Sequence, residues 1–220
     1  MKEALYYERK VKLYEYEELS ETAKEKVKEW FVDDDFRANK LTYLFKELWI
    51  DYYFPNSKLD IQWSLSYCQG DGVNVSGKFN FNDLFFYAKS NCEYDFKKAN
   101  FTGKEMKRLQ HYMEQTEIKV GENRRYGYCV VQSKDYFVTD WLWNLSGYRD
   151  IDEELLERLS ELFYHAINNL CKDMEHYGYK ILYEPDDEEI IETANVNEWY
   201  FDEYGNVVYD YDELIDCDIA

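Results

Sequence analysis

Four residues in the middle of the chain, Gln69, Gly70, Asp71 and Gly72, combine two glycines with a carboxylate. Glycines let the backbone approach a ligand closely, and Asp71 offers negative charge to a basic partner, so the segment is a candidate recognition loop. The alternative is an ordinary hairpin turn, since Asp-Gly supplies the positive φ values that tight turns require. Phosphate binding is disfavoured, because the motif is not followed by a helix N-terminus or a lysine.

Acidic residues dominate the last third of the chain. Residues 140–220 hold 23 Asp and Glu against 4 Lys and Arg, whereas residues 1–139 hold 23 against 22. An acidic surface repels nucleic acid and attracts basic proteins, so we expect no direct binding of DNA or RNA. The candidate partner-binding carboxylates are Asp186, Asp187, Glu188, Glu189, Asp202, Glu203, Asp210, Asp212 and Glu213.

These carboxylates allow three interpretations. They form a solvated acidic face, or they imitate nucleic acid phosphates toward a Lys/Arg-rich host protein. In the third interpretation, a divalent cation is held by Asp202, Glu203, Asp210 and Asp212. The cation site is the least favoured, because this spacing does not match a calcium-binding loop.

Residue types that carry nucleophilic or metal chemistry are sparse. The five cysteines contain no CxxC pair, and the three histidines contain no HxxxH spacing. His165 and His176 lie on one predicted helix, about 16 Å apart by helical rise, so they cannot bind the same metal ion. We therefore predict no catalytic residue, no metal and no cofactor, which indicates a non-enzymatic protein.

The composition is typical of a folded protein without a membrane-spanning segment. Among 220 residues there are 23 Tyr, 13 Phe and 6 Trp, enough ring area for a substantial core. No window approaches 18 apolar residues, and the first residues do not resemble a signal peptide. Unpaired cysteines favour a reducing compartment, so we expect a cytoplasmic protein. Tyrosines that stay exposed beside carboxylates would suit a protein-binding surface.

Hydrophobic periodicity predicts about five helices. The first begins after Ser20, and the second runs from about Asp35 to Tyr52 with Leu41, Leu44, Phe45, Leu48 and Trp49 on one stripe. A short helix follows an Asn82 cap, and Thr102 with Glu105 forms a capping box for the next. The longest helix starts at an Asp152 cap and ends before Gly178 as its C′ residue. A short acidic helix runs from Asp186 to about Ala194.

Alternating residues predict the strands of a mostly antiparallel sheet. Leu59–Tyr67 alternates apolar with polar residues, and Val73–Phe81 is predicted to pair with it as the second strand of a hairpin. Further strands are predicted near the N-terminus up to about Tyr16, at residues 117–120, at 126–132 and at 136–138, and a final hairpin turns at Tyr204-Gly205-Asn206. The prediction is one α+β domain, residues 1–220, with a near-neutral subregion 1–139 and an acidic C-terminal subregion 140–220.

Three segments resemble one protein family when taken together. They are YEYEELSETAKEKVKEWF, IQWSLSYCQGDGVNVSGKF and EIIETANVNEWYFDEYGNVV. They resemble, in the same order, segments of a family of small phage and prophage proteins with an SQGDGA-type motif, often labelled antitoxin of a toxin–antitoxin stability system. The chain departs from the family pattern at Tyr67-Cys68 and at Val73–Val75. The resemblance implies a phage origin and action inside a bacterial host.

These observations predict a non-enzymatic phage protein that binds and inhibits a host protein. The expected partner is a nucleic-acid-binding or defence protein with a basic surface, inhibited in the manner of anti-CRISPR or anti-restriction proteins. The first alternative is an antitoxin that neutralises a partner toxin. The second is an enzyme acting on nucleotides or nucleic acid.

Overall fold

The computed structural model describes residues 12–32, 35–68, 71–113, 117–120 and 153–208. Helices and small antiparallel sheets make up this part of the chain, so the predicted α+β class is confirmed. The described residues divide into two compact units. Unit 1 contains residues 12–38 and 180–208, and unit 2 contains residues 39–179. The subregion boundary predicted at residue 139 lies outside the described residues.

Unit 1 is built from the two ends of the described chain. Its elements are a 3₁₀ turn (Tyr16–Glu18), α1 (Glu21–Val32), the first turn of α2 (Asp35–Leu44), α7 (Asp187–Val196), β4 (Tyr200–Phe201) and β5 (Val207–Val208). Its buried core consists of Tyr16, Leu19, Ala23, Val27, Phe31, Ile190, Ala194 and Phe201. Residues 14–31 and 190–207 therefore pack on each other in a single core.

Unit 2 contains a three-stranded antiparallel sheet and most of the helices. The strands are β1 (Lys58–Ser64), β2 (Gly72–Asn80) and β3 (Glu117–Val120), in the order β1-β2-β3. The helices are α3 (Phe81–Asn91), α4 (Glu93–Ala99), α5 (Gly103–Met113) and α6 (Glu153–Tyr183), the last of which belongs to unit 2 as far as Tyr179. Residues 72–76 of β2 are all buried, so both faces of this middle strand are covered.

The second predicted helix contains a wide turn. After α2 the chain continues as a π-helical segment, Phe45–Asp51, and ends before Pro55 as predicted. A π turn holds more residues than an α turn, so the buried positions become Leu41, Phe45, Ile50 and Phe54. The predicted stripe was wrong at Leu48, which is 45% exposed, because it assumed regular α-helical spacing.

The longest helix does not end at Gly178. It continues to Tyr183, and Gly178 lies buried in its interior. A Cβ atom at this position would lie 2.4 Å from a Leu65 methyl carbon and 3.0 Å from the Phe45 ring. The glycine therefore permits close packing against Leu65 rather than terminating the helix, a role that a sequence pattern cannot distinguish from a C′ residue.

Local capping signals were mostly read correctly. The Ser20 hydroxyl accepts from the Ala23 N–H at 3.3 Å, and Thr102 and Glu105 form both hydrogen bonds of the capping box. The cap of α3 was predicted two residues too late: Asn80, not Asn82, accepts from the backbone at the helix start. Helix α4 was not predicted, and Asp152 lies outside the described residues.

The remaining strand predictions have mixed outcomes. β3 and the last hairpin, β4–β5, are confirmed. Of the N-terminal strand, the described part contains one bridge, in which Tyr14 and Phe201 exchange two backbone hydrogen bonds of 2.9 Å. The strands predicted at 126–132 and 136–138 lie outside the described residues. In the described ranges, no helix combines the length and apolar character needed to cross a membrane.

Candidate functional site

The connection between β1 and β2 is longer than the predicted turn. The strands pair from Lys58 with Lys78 to Ser64 with Gly72, so the loop comprises residues 65–71. Tyr67, predicted to continue the strand, instead has a φ of +56°. Gly72 has a φ of +144°, while Gln69 and Gly70 lie outside the described residues.

The Asp71 carboxylate organises this loop. Backbone N–H groups of Ser66 and Cys68 donate to one oxygen, at 2.5 and 2.7 Å. The hydroxyls of Ser64 and Ser66 donate to the other oxygen, at 3.1 and 3.3 Å. Partial removal from water raises the pKa of Asp71, but the hydrogen bonds outweigh this effect and hold the pKa below its usual value. The carboxylate is therefore used inside the loop.

A residue far away in the chain completes the arrangement. The hydroxyl of Tyr179, on α6, donates to Asp71 at 3.2 Å. Desolvation and the adjacent Asp71 carboxylate raise the pKa of Tyr179 to about 12, so this hydroxyl stays protonated and remains a donor. Leu65, at the start of the loop, is buried against Gly178 one residue before Tyr179. Loop and helix are thus joined by packing and by hydrogen bonding.

Tyr67 is presented to solvent by this framework. Its ring stacks on the ring of Tyr179 with a centroid distance of 4.5 Å and an interplanar angle of 26°. Even so, 70% of Tyr67 is exposed. A left-handed backbone at a large non-glycine residue costs energy, and such strain is found most often at functional sites. Tyr67 therefore presents an aromatic surface to solvent while its ring stacks on Tyr179.

Sequence reasoning identified the loop but not the residues that build it. Asp71 was predicted to face a partner, whereas its oxygens accept hydrogen bonds from the loop and from Tyr179. Ser64 and Ser66 precede Asp71 closely in sequence, and this local pattern was a usable signal for hydrogen bonding between the serines and the aspartate. Tyr179 carried none, because it is 108 residues away from Asp71.

Most of the described acidic candidates also have internal roles. Asp186 is the N-cap of α7, accepting from the Glu189 N–H at 2.7 Å. Asp187 accepts from the Tyr16 hydroxyl at 3.0 Å and pairs with Lys28. Glu189 pairs at 3.2 Å with Arg37, whose side chain is only 2% exposed. These carboxylates stabilise unit 1, which the charge pattern alone did not predict.

Asp202 shapes the turn between β4 and β5. Its carboxylate accepts from the Tyr204 N–H at 2.9 Å, and from the Asn206 N–H at 2.9 Å and side-chain amide at 2.7 Å. Glu188 and Glu203 are exposed, and the described part of the chain gives neither of them an ion pair. Asp210, Asp212 and Glu213 lie outside the described residues.

Groups with potential metal or nucleophilic chemistry are dispersed in the described chain. Within the described ranges, no three His, Cys, Asp or Glu side chains converge to form a potential metal site. Cys68 is an exposed free thiol in the loop, whereas Cys92 and Cys171 are buried. Burial raises the pKa of Cys171 to about 12, so it remains a thiol.

Within the described residues, the site candidates with a defined geometry are thus the Asp71 loop and the surfaces of unit 1. We compared the chain with known proteins at three levels. No family model, no curated protein and no solved structure matches it.

Proposed function

We propose that the protein is a non-enzymatic binding protein of phage origin that inhibits a nucleic-acid-binding or defence protein of the bacterial host. The observation that carries the proposal is the Asp71 loop, in which five hydrogen bonds to one carboxylate support a stacked, exposed tyrosine. The class of partner follows from the acidic composition and from the phage-family resemblance.

The geometry of the loop favours recognition over a simple connection. A two-residue turn would join β1 to β2 at lower conformational cost, yet the chain uses seven residues and a left-handed tyrosine. Tyrosine gives a large contact area with few rotatable bonds and is enriched among the residues that dominate binding energy. Because hydrogen bonds already fix the loop, little ordering entropy is lost when a partner binds.

The charge of the chain contributes mainly to partner selection. With a formal net charge of −20, the protein attracts basic surfaces from a distance and repels nucleic acid. Among the described acidic candidates, Glu188 and Glu203 are the exposed residues for which the described chain shows no cap and no ion pair, so we assign this role to them. Charge therefore accelerates the encounter, and the loop provides the close contact.

The proposal is tested by capturing a partner from host lysate and measuring its affinity for three variants. Tyr67→Ser should weaken binding by about 30-fold, since loss of a central tyrosine costs about 2 kcal/mol. Tyr67→Phe should retain most of the affinity, because the stacked ring remains. The matched control is Tyr94→Ser on α4, where the tyrosine is 78% exposed and far from the loop in sequence. Thermal unfolding checks that all variants are folded.

Equal affinities for Tyr67→Ser and Tyr94→Ser would refute the loop as the binding surface. A captured protein that proves to be a toxin encoded beside this gene would refute the host-defence partner and favour the antitoxin alternative. The first result would not change which class of partner is captured, and the second would not change whether Tyr67 contributes to binding.

A further inference from the structure

The π-helical segment of unit 2 turns large apolar side chains toward water. Leu48, within the segment, and Tyr52, directly after it, are 45% and 73% exposed. Regular α-helical spacing after Phe45 would bury both residues, since they lie three and seven positions beyond it. The wide turn buries Ile50 and Phe54 instead. The backbone therefore exposes two side chains that a regular helix would hide.

Half-buried aromatic rings support this exposed surface. The ring of Tyr52 packs edge-on against that of Tyr53, with a centroid distance of 4.8 Å, and Tyr53 contacts Trp49 at 6.2 Å. Trp49 in turn contacts Tyr177 on α6 at 6.1 Å. The exposed side chains are thus the outer edge of a continuous aromatic layer. Contiguous apolar surface of this kind marks interaction sites more often than scattered apolar residues do.

Two exposed carboxylates flank the apolar side chains. The Tyr43 hydroxyl donates to the Glu47 carboxylate, and this hydrogen bond, together with the charges of Glu47 and Asp51, raises the pKa of Tyr43. Residues 43, 47 and 51 therefore follow one line along the helix at four-residue spacing. In the described chain, neither carboxylate forms an ion pair. The π-helix face consists of Tyr43, Glu47, Leu48, Asp51 and Tyr52.

We propose that the π-helix face docks a cationic amphipathic helix of a partner protein. The apolar stripe of such a helix covers Leu48 and Tyr52, and the lysines or arginines beside the stripe pair with Glu47 and Asp51. A second copy of this chain is a poorer occupant, because two molecules with a formal net charge of −20 repel each other. The proposal adds a contact surface to the proposed function and does not depend on the Asp71 loop.

The test uses the full chain and three fluorescently labelled peptides of equal length. The amphipathic peptide, acetyl-GLKKLLKKLLKKLG-amide, has leucines on one helical face and lysines on the other. In the alternating peptide, leucine and lysine alternate, so the charge is unchanged but the apolar helical face is lost. The acidic peptide has glutamate in place of every lysine. At about 0.15 M salt, fluorescence anisotropy should show the amphipathic peptide binding about tenfold more tightly than either of the others.

Two double variants separate the apolar part of the π-helix face from its charged part. Leu48→Ser with Tyr52→Ser should weaken binding of the amphipathic peptide by about tenfold, since buried apolar contacts dominate binding energy. Glu47→Gln with Asp51→Asn should weaken it by about threefold, because each exposed ion pair contributes less. All four side chains are exposed, so thermal unfolding should give melting temperatures within about 3 °C of wild type.

Matched controls change exposed residues elsewhere in the chain. Phe86→Ser on α3 removes another exposed aromatic side chain, and Glu25→Gln with Glu29→Gln on α1 removes as much charge as the carboxylate variant does. Each control should change the affinity of the amphipathic peptide by less than about twofold. Backbone amide signals in NMR spectra should shift at residues of the π-helix face when this peptide is added.

Equal binding of the alternating peptide would overturn the proposal, since it indicates attraction by net charge alone. So would a control variant that weakens binding as much as the variants of the π-helix face do. If sedimentation shows a wild-type dimer that Leu48→Ser with Tyr52→Ser converts to a monomer, the occupant is a second copy and the proposal is wrong. Tyr67→Ser should bind the amphipathic peptide like wild type; loss of binding in this variant would place the peptide on the Asp71 loop instead. The face and the loop can therefore fail independently.

Discussion

Two aspartates, one in each unit, organise the connection of a β-hairpin in different ways. In unit 1, the Asp202 carboxylate accepts three hydrogen bonds from Tyr204 and Asn206, within four residues. In unit 2, Asp71 accepts from residues that precede it by up to seven positions and from Tyr179 on α6. The first carboxylate is satisfied within its own turn, which also packs on α1 beside Ala23, whereas the second carboxylate also accepts from a helix that is distant in sequence.

This difference explains what each connection is able to do. The β4–β5 turn also exposes a tyrosine, Tyr204, but the hydrogen bonds to its aspartate carboxylate all come from within the turn. The Asp71 loop carries Tyr67 at the surface, and its contacts with Gly178 and Tyr179 on α6 add to the four hydrogen bonds that residues 64–68 donate to Asp71. Long-range support of this kind stabilises a loop that local chemistry alone would leave in many conformations.

The largest effect is expected from breaking the local turn at Gly205. This residue has a φ of +80°, and a Cβ atom there would lie 2.4 Å from the backbone oxygen of Ala23. Gly205→Ala therefore combines a left-handed penalty with a clash against backbone, and should lower the free energy of unfolding by about 3 kcal/mol. Urea denaturation measures the change.

A glycine in open space provides the control for this substitution. Gly103, the first residue of α5, has nothing within 4 Å of the position its Cβ would take. Gly103→Ala should change stability by less than about 0.5 kcal/mol. If Gly205→Ala proves equally harmless, neither the left-handed backbone nor the close approach to Ala23 constrains residue 205.

A smaller effect is expected from Asp71→Asn and Asp202→Asn, which compare the two connections directly. Each substitution removes a charged acceptor of several hydrogen bonds, and for Asp202→Asn the cost should be about 1 kcal/mol. Asp71→Asn should cost more and should also change the NMR signals of Tyr67 and Tyr179. Signal changes confined to residues 64–72 would show that the contact with α6 does not support the loop.

The pH dependence of stability provides a second measurement on the same pair. Partial desolvation raises the pKa of each carboxyl, but hydrogen bonds lower it further, so both pKa values lie below the ordinary 3.8 in the folded protein. A carboxyl whose pKa is lowered by folding contributes its full stabilisation at pH values above its unfolded pKa. This stabilisation is lost as the pH falls below about 3.8. Each variant should therefore lose less stability than wild type between pH 5 and pH 3. Parallel curves would contradict the depressed pKa values.

The features that were predicted from sequence depend on contacts between near neighbours. The capping box of Thr102 and Glu105 and the turn at Gly205 involve residues within four positions, and both were identified. The C′ assignment of Gly178 and the regular stripe through Leu48 were wrong, because tertiary packing and a π turn decide those positions. Local sequence patterns carry no information about tertiary packing at Gly178 or about the π turn before Leu48.

In the candidate site, too, local motifs were identified from sequence, whereas contacts between distant residues were not. Gln69 to Gly72 attracted attention as a motif, but the exposed residue is Tyr67 and its support is Tyr179. The acidic candidates were chosen for their charge, and Asp187 and Glu189 turned out to pair with Lys28 and Arg37 in unit 1. Charge counts cannot show which carboxylates are neutralised within the fold, because the paired cations come from the other end of the sequence.

The smallest effect is expected from the acidic residues that have no such internal role. Glu188→Gln combined with Glu203→Gln should leave stability within about 0.5 kcal/mol of wild type, since both side chains are exposed and lack an ion pair in the described chain. At low salt the pair should slow association with the captured partner by about threefold, and the difference should vanish near 0.3 M salt, where the screening length is only about 6 Å. Stopped-flow measurements across salt concentrations detect this change. In contrast, Asp186→Ala with Asp187→Ala removes as much charge but also removes the α7 cap and the contacts of Asp187 with Tyr16 and Lys28, so it should also lower the melting temperature. If the Glu188 and Glu203 variant slows association at every salt concentration alike, these carboxylates touch the partner directly, and charge attraction over distance is not their role.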